Sequence, residues 1–251
     1  MMLEMPVWLP ISFFLVALTY SMAGFAGGSS YLAILVLAGL PFRQIPPTAL
    51  LCNLIVSISA FFHFRRGGHF DLKKVLPFVV FSIPMAYAGG RMRISKELFC
   101  FLLGGALLIA GTRLFVADKA FGEVRKVSPK TRWLVGLPTG AALGFLSGLV
   151  GIGGGIFLSP LLLFWKWANP KEAAAAASFF ILVNSLSGLL GQLEKTAFGV
   201  SPLFLFLGVA VLIGGQLGAC LGSYRLPKFF LQRVSAALIL YAAFRLISRP
   251  L

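Results

Sequence analysis

Apolar residues in this chain come in long unbroken runs, near residues 7–40, 45–62, 75–90, 98–116, 133–165, 173–193, 202–222 and 229–247. About 20 such residues span a bilayer as a helix, whereas barrel strands would alternate apolar and polar positions with period two. The pattern therefore predicts an all-α integral membrane protein with eight apolar blocks. The first block of each half exceeds one span, because over thirty helical residues reach roughly 50 Å across a hydrocarbon core of about 30 Å. Glycine clusters at 24–28 and 151–155 lie near the middle of those two blocks. Glycine loosens a helix, so each long block is expected to be two shorter helices joined at its cluster.

Composition agrees with a bilayer as solvent. Of 251 residues, 59% are hydrophobic and 12% charged, with a mean hydropathy of +0.93; soluble domains average about 45–50% apolar and about 25% charged. The net charge of +15 would suggest nucleic acid in a soluble chain. Here Lys and Arg sit between apolar blocks, as the positive-inside rule demands, so the expected partner is the lipid bilayer and not nucleic acid. Attraction of an anionic solute or of anionic headgroups is a second use of the same charge. Cys52, Cys100 and Cys220 lie in apolar stretches without C-x-x-C spacing, which predicts buried structural thiols. No Lys or Arg precedes Arg43, so the first block lacks a signal peptide's basic start and is expected to stay in the mature protein.

The polar stretch 118–132 (DKAFGEVRKVSPKTR) divides the blocks four and four. It gives a first transmembrane repeat at 1–117, a cytoplasmic linker at 118–132 and a second repeat at 133–251. The halves answer one another: the Gly24 cluster and the Gly151 cluster, Asn53 in LLCNLIVS and Asn184 in ILVNSLSG, ALLIAGTRLF and LILYAAFRLI with Arg113 opposite Arg245. Eight simple spans would divide Lys and Arg 13 to 9 between the two sides, whereas two hairpins divide them 15 to 7. The hairpin reading has the stronger inside bias. It leaves three full spans per half, which inverts the second repeat relative to the first and places both termini outside.

The residues that carry these patterns resemble the TauE/SafE family of sulfite exporters, also called toluene-sulfonate uptake permeases. The second half follows the family pattern in GFLSGLVGIGGGIFLSPLLL (144–163), ASFFILVNSLSGLLGQL (177–193) and IGGQLGACLGSYRLP (213–227). The first half keeps it more loosely in GFAGGSSYLAILVLAGLP (24–41) and in an Asn-bearing helix that ends HFRRGGHFD (63–71). The resemblance covers nearly the whole chain. It implies movement of sulfite, sulfonates or related small sulfur-containing anions across the bacterial cytoplasmic membrane, with no cofactor and no enzymatic step.

On their own chemistry, the glycines Gly24, Gly27, Gly28, Gly151, Gly153, Gly154 and Gly155 suit anion binding. A helix broken in mid-membrane points N–H groups and the positive end of its dipole at the gap. Close helix packing, for which membrane interfaces favour small residues, is the competing use of each glycine. Asn53 and Asn184 are amides at corresponding places in otherwise apolar spans. Ser57 and Ala60, or Ser187, Gly188 and Gly191, follow them at helical spacing and would turn them toward protein. Interhelical hydrogen bonding is their competing use. Ser29, Ser30 and Gln216 join the candidates on the same logic. His63, Arg65 and Arg66 would anchor a helix end or gather anions at a cytoplasmic mouth. Thiol chemistry of Cys52 with a sulfur compound is the least expected of these roles.

All seven acids, Glu4, Asp71, Glu97, Asp118, Glu123, Glu172 and Glu194, fall at or near span ends, which leaves no midplane carboxylate as a proton relay. The glycines at 151–155 lack the Lys-Ser or Lys-Thr of a P-loop. A metal site is not expected, for want of acids, His or paired Cys at depth. An intramembrane enzyme, a non-transporting scaffold and a carrier of another solute are the alternatives. Monomer and homodimer are both open.

Overall fold

The computed structural model describes residues 8–92, 124–125, 127–194 and 202–225, with single positions between 95 and 112 and between 233 and 244. The blocks expected at 98–116 and 229–247, with Cys100, Arg113 and Arg245, lie largely outside the described residues. The rest is helical: α1 (Trp8–Met22), α2 (Gly28–Leu37), α3 (Ile45–Arg66), α4 (Leu72–Arg91), α5 (Pro129–Val150), α6 (Gly155–Phe164), α7 (Pro170–Leu193) and α8 (Pro202–Cys220). Among the described residues, five helical segments, α3, α4, α5, α7 and the α8 region, are long and apolar enough to cross a membrane. Leu134 and Leu205 stand among many large apolar side chains exposed on the outside of the bundle, as expected for a surface solvated by lipid.

Local chemistry sets the helix ends. Asp71 caps α4 by accepting from Lys73 N at 2.9 Å. Asn169 and Glu172 close a reciprocal capping box on α7, with Pro170 in its first turn. Ser128 caps α5 and Pro129 opens it, so Pro129 to Arg132, which the charge pattern assigns to the linker, form the first turn of a helix.

Both long blocks break at their glycines. Gly24 (φ 76°) and Gly27 (φ 91°) bracket the first break, and Gly151 (φ 84°), Gly153 (φ 84°) and Gly154 (φ 75°) form the second. These are left-handed backbones that glycine adopts without the Cβ penalty. A shift of 127 residues maps one break on the other. It carries Gly28–Leu37 onto Gly155–Phe164, and the bonds of Ser30 and Tyr31 N to Gly27 O onto those of Phe157 and Leu158 N to Gly154 O. It also carries the turn that ends α2, where Leu40 N bonds Leu35 O past Gly39 (φ 74°), onto the turn that ends α6, where Trp167 N bonds Leu162 O past Lys166 (φ 58°).

Contacts fix the helix directions. Lys74–Glu172 (3.0 Å) joins the starts of α4 and α7, and Arg91–Glu194 (2.8 Å) joins their ends. Phe61, near the end of α3, packs on Phe179 in the first half of α7, so α3 runs the other way. Arg65, Arg66, Lys73, Lys74 and Lys171 thereby share one basic end. Helix α5 runs alongside α4: Cβ atoms built at Gly136, Gly140, Gly144 and Gly148 would strike Pro77, Phe78, Ser82 and Ala86 in turn. Helix α8 and the π-helical turn that continues it (Leu221–Arg225) likewise run alongside α1, with Gly214, Gly218 and Gly222 against Phe14, Leu18 and Met22. Lys171 Nζ donates to Ser223 O at 2.8 Å, which puts the far end of α8 at the basic end. Helix α1 therefore descends to the basic end, and α2 turns back beside it, Phe13 stacking on Tyr31 at 4.6 Å. Helix α5 leaves the basic end, and α6 returns there, where Arg125 N bonds Lys166 O at 2.8 Å. The α1–α2 and α5–α6 hairpins enter the bundle from opposite ends, with α3 and α7 between them.

Candidate functional site

The two breaks meet at Asn53. Its Nδ2 donates to the carbonyl of Ile152, in the second break, at 3.0 Å. Gly28, which starts α2, lies so close to the same amide that a Cβ there would fall within 2.9 Å of Oδ1. A Cβ on Gly153 would lie 2.8 Å from Ser185 Oγ and 3.4 Å from Asn53 Nδ2. Gly28, Asn53, Ile152 and Gly153 thus form one contact set in the bundle interior, with Asn53 wholly buried.

The electrostatics follow from helix direction. Helices α2 and α6 both begin at this point and run outward to opposite ends, so their positive dipole ends converge. The first helical bonds are made by Ser30 and Tyr31 in α2 and by Phe157 and Leu158 in α6. The N–H groups of Gly28, Ser29, Gly155 and Ile156 lie outside those ladders.

Buried polar atoms with no hydrogen-bond partner among the described residues gather around the breaks: Ser29 Oγ, Tyr31 Oη, Asn53 Oδ1, Ser147 Oγ, Asn184 Oδ1 and Ser185 Oγ. A buried polar group left unpaired costs about 1–3 kcal/mol, so such a concentration marks a place built for polar company.

The other sequence candidates divide. Gly27 abuts the Tyr31 ring, while Ser30 is engaged by Tyr20 Oη at 2.9 Å. Gly24 and Gly151 flank the contact set: a Cβ on either would meet Ala174 of α7 or Pro46 of α3. Gly154 faces Phe180 and Ser147, and Gly155 faces Ala177 and Ile181. Asn184 is buried, yet its Nδ2 bonds Phe180 O of its own helix at 2.8 Å instead of reaching the first break. Gln216 Oε1 accepts from His63 Nε2 at 2.8 Å near the basic end, away from the contact set. Arg65 and Arg66 end α3 there, folded over Phe61 and Phe62. Cys52 is buried as expected, whereas Cys220 is exposed, a correction: the Gly218–Gly222 face of α8 is the one turned to α1, and residue 220 falls on the opposite side.

Sequence reasoning missed Ser185, Ser147 and Tyr31. Ser185 adjoins Asn184, and Ser147 lies four residues before Gly151, so polarity beside a predicted site residue was the available signal. Asp71, Glu172 and Glu194 sit at helix ends, and no cluster of three or more His, Cys, Asp or Glu occurs among the described residues.

The chain is 32% identical to the probable membrane transporter protein y4hK of Sinorhizobium fredii, over 96% of this chain and 98% of that one. It is 27% identical to the probable membrane transporter protein MJ0441 of Methanocaldococcus jannaschii, over 93% and 92% of the two chains. It is 29% identical to the probable membrane transporter protein ORF9 of Sinorhizobium sp., over 87% and 82% of the two chains. No solved structure matches the chain. The model of the sulfite exporter TauE/SafE family matches residues 9–246, and the chain belongs to that family of membrane transporters.

Proposed function

We propose that this chain is a secondary transporter of a small sulfur-containing anion, sulfite or an organosulfonate, in the bacterial cytoplasmic membrane. The observation that carries the reading is the convergence of the two short-helix N-termini on Asn53, with Asn53 Oδ1 and the neighbouring Ser29 and Ser185 hydroxyls buried and unpartnered. Moving an isolated ion into a medium of low dielectric costs tens of kcal/mol by Born solvation, so a passing anion needs many donors at once. Free N–H groups of α2 and α6 and the hydroxyls of Ser29 and Ser185 supply them without a fixed positive charge that would hold the anion too tightly. The family's printed description is the ground for choosing sulfite and its relatives.

In this reading the chain is an internal duplication, and the second repeat is inverted. Support comes from the 127-residue correspondence of the breaks and from the hairpins' entry at opposite ends. Such repeats place substrate near the midplane where they meet. The basic end is cytoplasmic, with the 118–132 linker on that side.

Flux of sulfite, thiosulfate, an alkanesulfonate, sulfate and acetate into proteoliposomes under an imposed potential tests the reading. Selective flux of one sulfur anion, lost in the Asn53→Ala, Asn184→Ala double variant, is expected. Absence of flux for every anion in protein of unchanged melting profile would overturn it.

A further inference from the structure

Helix α3 carries two different faces. Asn53, Val56, Ala60 and Phe64 are buried in the bundle, whereas Ile58 and Phe62 are 52% and 55% exposed, in line with the exposed Arg65 and Arg66 at the helix end. Against α7 this outer face forms a groove of about 620 Å³, lined among the described residues by Ile58, Phe61, Phe62, Arg65, Arg66 and Leu182. Its Phe61 wall is held from behind by Phe70 at 4.8 Å and Phe179 at 5.0 Å. The groove runs from apolar to charged. Ile58 and Arg65 are separated by about 10 Å of helix axis, and the charge lies at the basic end of the bundle. There the two guanidiniums lie over the rings of Phe61, at 5.8 Å, and Phe62, at 6.0 Å.

Chemistry narrows the occupant. No acid lines the groove among the described residues, and the ion pairs found there are Lys74–Glu172 and Arg91–Glu194, which leave both arginines out. At that end Asp71 and Glu172 are committed to helix caps. Two adjacent guanidiniums offer planar donor forks that suit phosphate oxygens. A small hydrophilic anion would satisfy them but make no use of the apolar half. A second copy of this chain, with 22 Lys and Arg against 7 acids, has little acid to bring. We propose that the groove binds an anionic phospholipid, its phosphate held by Arg65 and Arg66 and an acyl chain laid along Ile58, Phe61 and Leu182 toward the membrane interior. Basic pockets between membrane helices take anionic headgroups in this way. The site is distinct from the Asn53 contact set, because α3 turns Asn53 inward and these side chains outward.

Native mass spectrometry of the full chain, released from nanodiscs holding equal amounts of phosphatidylglycerol and phosphatidylcholine, counts both bound lipid and copies of the chain. Wild type is expected to retain phosphatidylglycerol over phosphatidylcholine, and the Arg65→Gln, Arg66→Gln double variant to retain roughly fivefold to thirtyfold less of it. Ile58→Trp, which fills the apolar half and leaves both arginines in place, is expected to lower retention as well. The Lys73→Gln, Lys130→Gln double variant removes the same charge from exposed positions in the first turns of α4 and α5, at the same end, and is expected to retain the wild-type amount. Four results would each overturn the proposal: equal retention of both lipids by wild type, retention unchanged in either groove variant, an equal loss in the lysine variant, or a lipid-free dimer that the arginine substitutions dissociate. The last would assign the groove to a second copy.

Discussion

The side chain of Asn53 and the main-chain carbonyl of Ile152, 99 residues apart in sequence, are joined at 3.0 Å in the buried centre of the bundle. This bond ties α3 to the second break, while Gly28 of the first break rests on the same amide. One side chain therefore holds both irregular segments in register, and the tolerance of its neighbours is small.

Gly28→Ala should displace that amide, because the added Cβ has no room beside Nδ2 and Oδ1. Flux is expected to fall at least about tenfold, with a loss of stability of about 1–3 kcal/mol from overpacking. Transport in proteoliposomes and thermal melting in detergent, measured on one preparation, check both effects.

The stripe on α5 predicts a graded response to added volume. A Cβ on Gly144 would lie 2.5 Å from Ser82 Cα, whereas one on Gly208 of α8 would make an ordinary 3.5 Å contact with Ile55. Gly144→Ala should lower the melting temperature and Gly144→Leu should abolish the folded bundle, while Gly208→Ala leaves melting within about 0.5 kcal/mol of wild type. Size-exclusion profiles and melting curves of the three variants decide.

At the basic end, Lys74 and Glu172 form a partly exposed ion pair, yet Glu172 also accepts from Asn169 N at 2.9 Å in the capping box. Glu172→Gln keeps the box and should cost little, since exposed pairs contribute about 0–1 kcal/mol. Glu172→Ala should cost about 1 kcal/mol more by losing the cap. A Lys74→Met double-mutant cycle isolates the pair itself, with a coupling below about 1 kcal/mol expected.

Sidedness follows from the opposed hairpins. In a background lacking Cys52, Cys100 and Cys220, single cysteines at Gln44 and Ser128 should react with a membrane-impermeant maleimide from opposite sides of intact cells and inverted vesicles. Labelling of both from one side would exclude the inverted arrangement.

The helix breaks were legible in sequence because a block too long for the bilayer must bend, and glycine marks where. Asn53 was legible as a lone amide in an apolar span. Its partner was not, because Ile152 contributes a main-chain carbonyl exposed only by the break, and no side-chain pattern announces that. The different engagement of Asn184 was equally hidden: the segments LLCNLIVS and ILVNSLSG pair it with Asn53, although the shift that superposes the breaks carries Asn53 onto Phe180 instead, and only packing decides that Asn184 bonds Phe180 O. The four-residue glycine spacing at 136, 140, 144 and 148 is plain in the sequence and codes the α4–α5 contact through the absence of side chains. Cys220 shows the converse, an apolar-looking position that faces outward because lipid, not core, surrounds the bundle.

Helices α2 and α6 start together and run apart, so their dipoles cancel along the membrane normal while adding at the shared origin. On the proposed reading, an anion approaching from either face would pass a negative helix terminus and then meet the same positive well. Such a pair has no polarity of its own. On that reading the pair would not rectify, and the direction of net traffic would be left to the concentration and voltage differences across the bilayer.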